Sequence, residues 1–208
     1  MLQACHRLFS IIGLLITLML AGCATQPAPK PSSSPTLQLQ HLEALSHLTE
    51  YTIKGRLGVN ANGKGYSGSI EWHHQPQHDE IDIYTPFGSK IANITKDSQT
   101  VVLTDAEMRS VSAQDTETLT EKTLGWRLPL NGLSDWAIGK PSPSSIEASS
   151  WDESGRLTSL AQEGWQISYE EYTDQQGIAL PSKITLKNDK SSVKLLIKEW
   201  QIPVKSNP

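Results

Sequence analysis

Apolar residues along this chain keep three different rhythms. From Leu8 to Leu20 they run with few interruptions, behind a small basic region ending at Arg7. The run is shorter than the roughly 20 residues needed to cross a bilayer core, so it predicts a secretory leader rather than a membrane span. A stretch rich in Pro and Ser follows, up to Pro35. It has too little apolar surface to fold and reads as a tether, able to hold a domain about 30–40 Å from a lipid surface. Thr36 is then placed to cap a helix whose Leu39, Leu42, Leu45 and Leu48 fall on one face, which predicts a buried leucine stripe.

From Tyr51 the period drops to two. Ile53, Leu57 and Val59 open a series of strand-like segments that continues with Ser67–Trp72, Ile81–Thr85, Ile91–Thr95, Val101–Leu103 and Met108–Ser112. Helical patterning returns over Asp115–Leu124 and Leu133–Ile138, where Gly139-Lys140-Pro141 breaks it. Five more strands are expected at Ile146–Trp151, Leu157–Gln162, Trp165–Tyr172, Leu180–Leu186 and Val193–Trp200. Hairpin-length gaps between them leave no room for the crossovers that parallel pairing requires. A sheet of about 10 or 11 strands must curl, and its concave side is wider than its own side chains can fill. The expectation is therefore a mainly β fold with an α lid: one curled antiparallel sheet, an incomplete barrel, with about three helices over an apolar cavity. Inward positions such as Ile83, Ile91, Trp136 and Leu195 are the candidate cavity lining.

Cysteine and charge refine this picture. Leu20-Ala21-Gly22-Cys23 reads as a lipobox, the signal at which a cysteine is acylated and the leader removed. The only other cysteine, Cys5, lies inside the leader, so the mature chain has no disulfide and depends on core burial. The domain expectation is a leader at 1–22, lipidated Cys23 with its tether at 23–35, and a folded unit at 36–208. The formal charge of −4 becomes about −5 when Arg7 leaves with the leader. An acidic chain without a Lys/Arg cluster is unsuited to nucleic acid.

Motifs that carry catalysis fail on inspection. Gly58-Val59-Asn60-Ala61-Asn62-Gly63-Lys64 begins like a phosphate-binding loop, but Gly65 replaces the magnesium-binding hydroxyl and a strand follows where a helix is needed. His73 and His74 point to opposite faces of a strand, so with His78 and Asp79 they predict a polar hairpin rather than a metal site. No nucleophile elbow is present. The sequence thus predicts no catalytic residue, no metal and no cofactor beyond the lipid on Cys23.

Several segments resemble the LolB family, whose members accept lipoproteins from a periplasmic carrier and insert them into the outer membrane. They are Tyr51-Thr52-Ile53-Lys54-Gly55-Arg56-Leu57, Trp72, Thr85-Pro86-Phe87-Gly88-Ser89, Leu128-Pro129-Leu130-Asn131-Gly132-Leu133, Trp136-Ala137-Ile138-Gly139-Lys140-Pro141, Gly164-Trp165-Gln166-Ile167-Ser168-Tyr169, Leu180-Pro181 and Val193-Lys194-Leu195. The resemblance implies a lipid-anchored domain facing the periplasm. Its partners would be a LolA-like carrier, client lipoproteins and outer-membrane lipid, and the chain would be a monomer. Ala24 rather than Asp after Cys23 favours the outer membrane. The resemblance also assigns Pro86, Phe87 and Gly88 to a membrane-insertion loop: Thr85 to Gly88 fits a type I turn with Phe87 at its tip, where the family usually has Leu. The alternative functions are a scaffold lipoprotein of an outer-membrane machine and a periplasmic lipid-cleaving enzyme.

The anchor and the folded unit should be separable. Replacing Cys23 with Ala and the leader with a soluble export signal should yield a folded periplasmic protein that still accepts lipoprotein from the carrier. Loss of either property, measured by circular dichroism and by transfer from loaded carrier, would contradict this division.

Overall fold

The computed structural model describes residues 34–113, 116–125 and 127–203. The leader, Cys23, most of the tether and Trp126 lie outside them. Helix α1 (Pro35–Ser46) leads into strands β1 (Tyr51–Ala61), β2 (Lys64–Gln75), β3 (His78–Tyr84), β4 (Lys90–Lys96), β5 (Val101–Asp105) and β6 (Ser110–Ala113). Helices α2 (Thr116–Leu124) and α3 (Leu130–Ala137) follow, then β7 (Ile146–Trp151), β8 (Leu157–Gln162), β9 (Trp165–Gln175), β10 (Ile178–Lys187) and β11 (Ser191–Gln201).

All eleven strands form one sheet in the order β6-β5-β4-β3-β2-β1-β11-β10-β9-β8-β7. It is two antiparallel meanders joined along β1 and β11, where Leu57 faces Leu195 and Val59 faces Val193. The sheet curls but does not close. Its edge strands β6 and β7 are short, polar and largely exposed, which makes them poor templates for pairing with another chain.

The period-two pattern becomes an inside and an outside. Along β1, Tyr51, Ile53, Leu57, Val59 and Ala61 are buried while Arg56 and Asn60 are exposed, and β11 alternates in the same way. The buried set from both meanders and the helices forms one apolar core that includes Trp72, Trp136 and Trp165. Each such side chain contributes about 1.5–3 kcal/mol by leaving water.

Sheet side chains hold α3 at both ends and the middle. Lys96 Nζ donates to the Leu130 carbonyl (3.0 Å), Tyr51 Oη donates to the Ser134 carbonyl (2.8 Å), and Trp136 Nε1 donates to Gln162 Oε1 (2.8 Å). Burial, then the carboxylates of Asp79 and Asp135, raise the Tyr51 hydroxyl well above its ordinary range, so it remains a donor. Helix α2 spans from β5 and β6 toward the other meander, where Trp165 Nε1 reaches Glu117 Oε1 at 3.4 Å.

Several boundaries differ from the sequence expectation, three of them with a physical reason. Helix α1 starts at Pro35, with Ser34 in the capping position in place of Thr36, because proline's fixed φ suits the first helical turn. Its leucine stripe is not buried as a whole: Leu39 is 68% exposed, Leu45 is buried, and Leu48 is buried beyond the helix end. Only the last turn and the chain leading into β1 reach the core. Helix α3 begins at Leu130 rather than Leu133, and the glycine in its first turn has a packing reason. A Cβ on Gly132 would overlap the Trp136 indole. Met108, expected to open β6, instead occupies the β5–β6 turn at φ 62°.

Gln162 ties this lid to the sheet and is fully buried. Its Oε1 also accepts from the Ser142 amide (3.0 Å), while its Nε2 donates to the carbonyls of Ser142 (3.0 Å) and Ser144 (2.8 Å). Gln162→Leu would strand several buried polar groups at once. It should cost about 2–5 kcal/mol in urea unfolding, against less than about 0.5 kcal/mol for a change at an exposed site such as Gln201.

Candidate functional site

In an antiparallel meander alternate turns share an end, so the turns after β1, β3, β5, β8 and β10 gather at one rim. The turn after β3 carries Phe87, which is 97% exposed. Such exposure of the chain's largest apolar side chain type after tryptophan opposes the hydrophobic effect, so the loop must be held out by its own geometry. Gly88 N donates to the Thr85 carbonyl (3.0 Å), closing the expected turn, and Thr85 N donates to the Ser89 carbonyl (2.8 Å). The Ser89 amide also reaches Thr85 Oγ1 (3.2 Å). Gly88 lies at φ 89°, a conformation that a side chain would strain.

Below the loop, Asp82 acts as a hub. Its carboxylate accepts from Lys90 Nζ (2.7 Å), Asn93 Nδ2 (2.7 Å) and Tyr84 Oη (3.2 Å), and the Lys90 ammonium lies 5.8 Å from the Tyr84 ring centre. Partial burial would raise this carboxyl, but the hydrogen bonds from Lys90 and Asn93 with the lysine charge outweigh it and hold it below the usual carboxylate range. The sequence carried no signal for this hub, since its four members become neighbours only when β3 and β4 pair.

The structure separates the four candidate lining residues. Ile83, Trp136 and Leu195 are buried members of the common core. Ile91 differs from its expected place: the β3–β4 register slips beside it, Ala92 faces Ile83, and Ile91 stays 40% exposed at the rim. Under the helices, Leu130, Leu133 and Trp136 are buried in that common core. A recess of about 390 Å³ does touch Leu57 and Leu195, but most of its walls are outward positions such as Arg56, Ser69, Lys183 and Lys194, with Pro86 at its margin. Its size is at the lower end for a single small ligand, roughly 300–1,000 Å³.

The histidines take ordinary roles. His73 Nδ1 shares a hydrogen bond with Thr52 Oγ1 (2.9 Å), and His74 pairs with Asp79 (2.7 Å) while stacking on Tyr51. The sequence resembling a phosphate loop forms the β1–β2 hairpin, with Asn62 and Gly63 both at positive φ.

The Asp82 hub sets a pH dependence. A carboxyl lowered in the fold stabilises it fully above its unfolded value, near pH 4, and loses that contribution as pH falls through the lowered folded value. The melting temperature should fall from about pH 5 to about pH 3. Asp82→Asn should make that fall shallower, while lowering stability at neutral pH.

Comparison with known proteins places this geometry. The family model for "Outer membrane lipoprotein LolB" matches residues 49–200. An outer-membrane lipoprotein LolB from Nitrosomonas europaea is 33% identical over 94% of this chain and 93% of its own length. Its namesake from Pseudomonas savastanoi pv. phaseolicola is 34% identical over 93% of each chain. A third, from Pseudomonas putida, is 35% identical over 88% of this chain and 91% of its own. Among solved structures, a LolA superfamily protein from Nitrosomonas europaea shares the fold at a TM-score of 0.53 and 9% identity, covering 84% of this chain and 95% of its own. A DUF1329 family protein from Desulfovibrio piger matches at 0.55 and 8%, over 83% and 92%. With matching segments from β1 to β11 and a curled, unclosed sheet of eleven strands, this chain belongs to the LolB family of outer membrane lipoproteins.

Proposed function

We propose that this protein is anchored to the outer membrane through lipid on Cys23, faces the periplasm, and acts as an acceptor. It takes lipoproteins from a LolA-like carrier, shelters their acyl chains against the concave face, and passes them to the bilayer. Family membership supports a part in lipoprotein localisation, and the fully presented Phe87 supports the delivery step. The exposed ring is the observation that carries the reading. A phenylalanine held in water by a rigid hairpin serves no core, whereas at a bilayer interface its burial is favourable.

Acyl chains carry the energetics of transfer. Each sheltered methylene is worth about 0.8 kcal/mol, so three long chains oppose free diffusion by tens of kcal/mol. Without a bound nucleotide or other energy source, transfer follows differential affinity: the concave face binds the chains more tightly than the carrier does and less tightly than the membrane. Because Ile83, Trp136 and Leu195 are buried, loading requires α2 and α3 to part from the sheet and expose them. Ile91, already at the rim, is the first of the four that an entering chain meets.

Phe87 acts in delivery rather than acceptance. Phe87→Glu should fold and accept client from loaded carrier at a near-normal level, yet fail to deliver it to liposomes, because a carboxylate is repelled from hydrocarbon. Phe87→Leu should deliver almost normally. Flotation of radiolabelled client with liposomes measures the step. Normal delivery by Phe87→Glu would remove the loop from the mechanism.

A further inference from the structure

Phe87 is not the only apolar tip on its rim. The β5–β6 turn repeats the hydrogen bonding of the Phe87 loop: Met108 N donates to the Asp105 carbonyl (3.0 Å) and Asp105 N to the Arg109 carbonyl (3.0 Å). The β7–β8 turn, at the opposite end, has the same two bonds through Asp152, Gly155 and Arg156. In all three the residue two positions before the closing strand adopts positive φ, at Gly88 (89°), Met108 (62°) and Gly155 (77°). Glycine also closes the β1–β2, β8–β9 and β9–β10 turns at positive φ, through Gly63, Gly164 and Gly177. Among the described residues the other side chains in this conformation, which L residues disfavour, are the polar Asn62, Glu163 and Gln176, whereas Met108 is apolar and 81% exposed. The site bears both backbone strain and an uncovered apolar group where glycine would remove both.

The placement of Met108 gives that combination a use. Its turn lies on the same rim as Phe87, and β4 and β5 are adjacent strands, so the two hairpins sit about 10 Å apart across the sheet. Register sets their heights. Ala92 faces both Ile83 and Asp105, and the Phe87 hairpin continues beyond that level through Tyr84 and Lys90 to Thr85 and Ser89. The Phe87 tip therefore projects about two residues, roughly 7 Å, past the Met108 turn. Exposed Ile91 and Val111 flank the two tips. The β8–β9 and β10–β11 turns on the other limb are instead Glu163-Gly164 and Asn188-Asp189-Lys190.

We propose that Met108 and Phe87 form a two-point contact with the interfacial region of a phospholipid bilayer, Phe87 deep and Met108 shallow, which fixes the tilt of the sheet on the membrane. This rests on the reading of Phe87 as the insertion tip. The charges around Met108 set the shallower depth. Arg109 pairs with Asp105 and with Glu107 (2.6 and 3.0 Å), leaving one net negative charge at the base of the turn, compatible with headgroups but not with hydrocarbon. A single inserted tip leaves the domain free to pivot. A second, offset tip directs the β3–β6 limb to the lipid and keeps the charged β8–β11 turns in water.

Depth measurements on the full lipidated protein, reconstituted in phosphatidylethanolamine/phosphatidylglycerol vesicles, test this. With Cys5 lost in the leader and Cys23 acylated, a single introduced cysteine can carry an environment-sensitive dye. Dye at Phe87→Cys and at Met108→Cys should both be quenched by doxyl groups on the lipid, position 108 more by shallow than by deep probes. Dye at Gln176→Cys, on the opposite end, should not be quenched. Quenching at 87 with none at 108 overturns the two-point contact and leaves the role of Phe87 standing; none at either site overturns both. Quenching at 108 without 87 also overturns the proposal. In addition, Met108→Gly should raise the melting temperature by relieving the backbone while slowing delivery to liposomes about threefold to tenfold. Unchanged delivery by that variant would overturn the inference whatever its stability.

Discussion

The structure depends on how an unclosed, curled sheet fills its own concave face. An open sheet of eleven strands cannot bury that face against a second sheet, so the helices between the meanders must cover it. Trp136 does much of this work from α3, and the buried Gln162 amide fixes its indole while satisfying the chain at Ser142 and Ser144. A polar clasp inside an apolar core specifies one arrangement, because any shifted packing leaves several donors and acceptors without partners. It also marks what must loosen if the concave face is to accept acyl chains. On the acceptor reading, this core exchanges its own side chains for a ligand's.

The rim solves the opposite problem. Its apolar tips are kept out of the core by turn geometry and by polar hubs beneath them, Asp82 under Phe87 and Asp105 with Arg109 under Met108. These hubs are local ion pairs at or near the surface, individually modest contributors to stability. Their value is positional: they stiffen the last rungs of two hairpins so that the apolar groups project instead of folding back. On the proposed function, core and rim lie on the same strands but serve different steps, so acceptance and delivery should respond separately to mutation.

Much of this was legible in the sequence, because local rules govern it. Alternation in β1 and β11 follows from which face meets water, the turn at Thr85–Gly88 from proline and glycine at fixed positions, and the number of strands from hairpin-length gaps. Family resemblance carried by segments from Tyr51 to Leu195 extended the reading to function. Tertiary structure decided the rest. The α1 leucine spacing predicted a buried face, yet among the described residues no element covers Leu39, since periodicity marks a capacity for burial and not a partner. Ile91 has the composition of an inward residue, but a register slip opposite Ile83 hands that position to Ala92. Gln162 and Asp82 looked like ordinary polar strand residues. The role of Gln162 arises from neighbours 18 to 26 residues away and that of Asp82 from the pairing of β3 with β4, which residue type alone does not encode. Patterning thus determined the sheet, the turns and the exposed tip, while the filling of the concave face and the identity of its clasp emerged only when the two meanders came together.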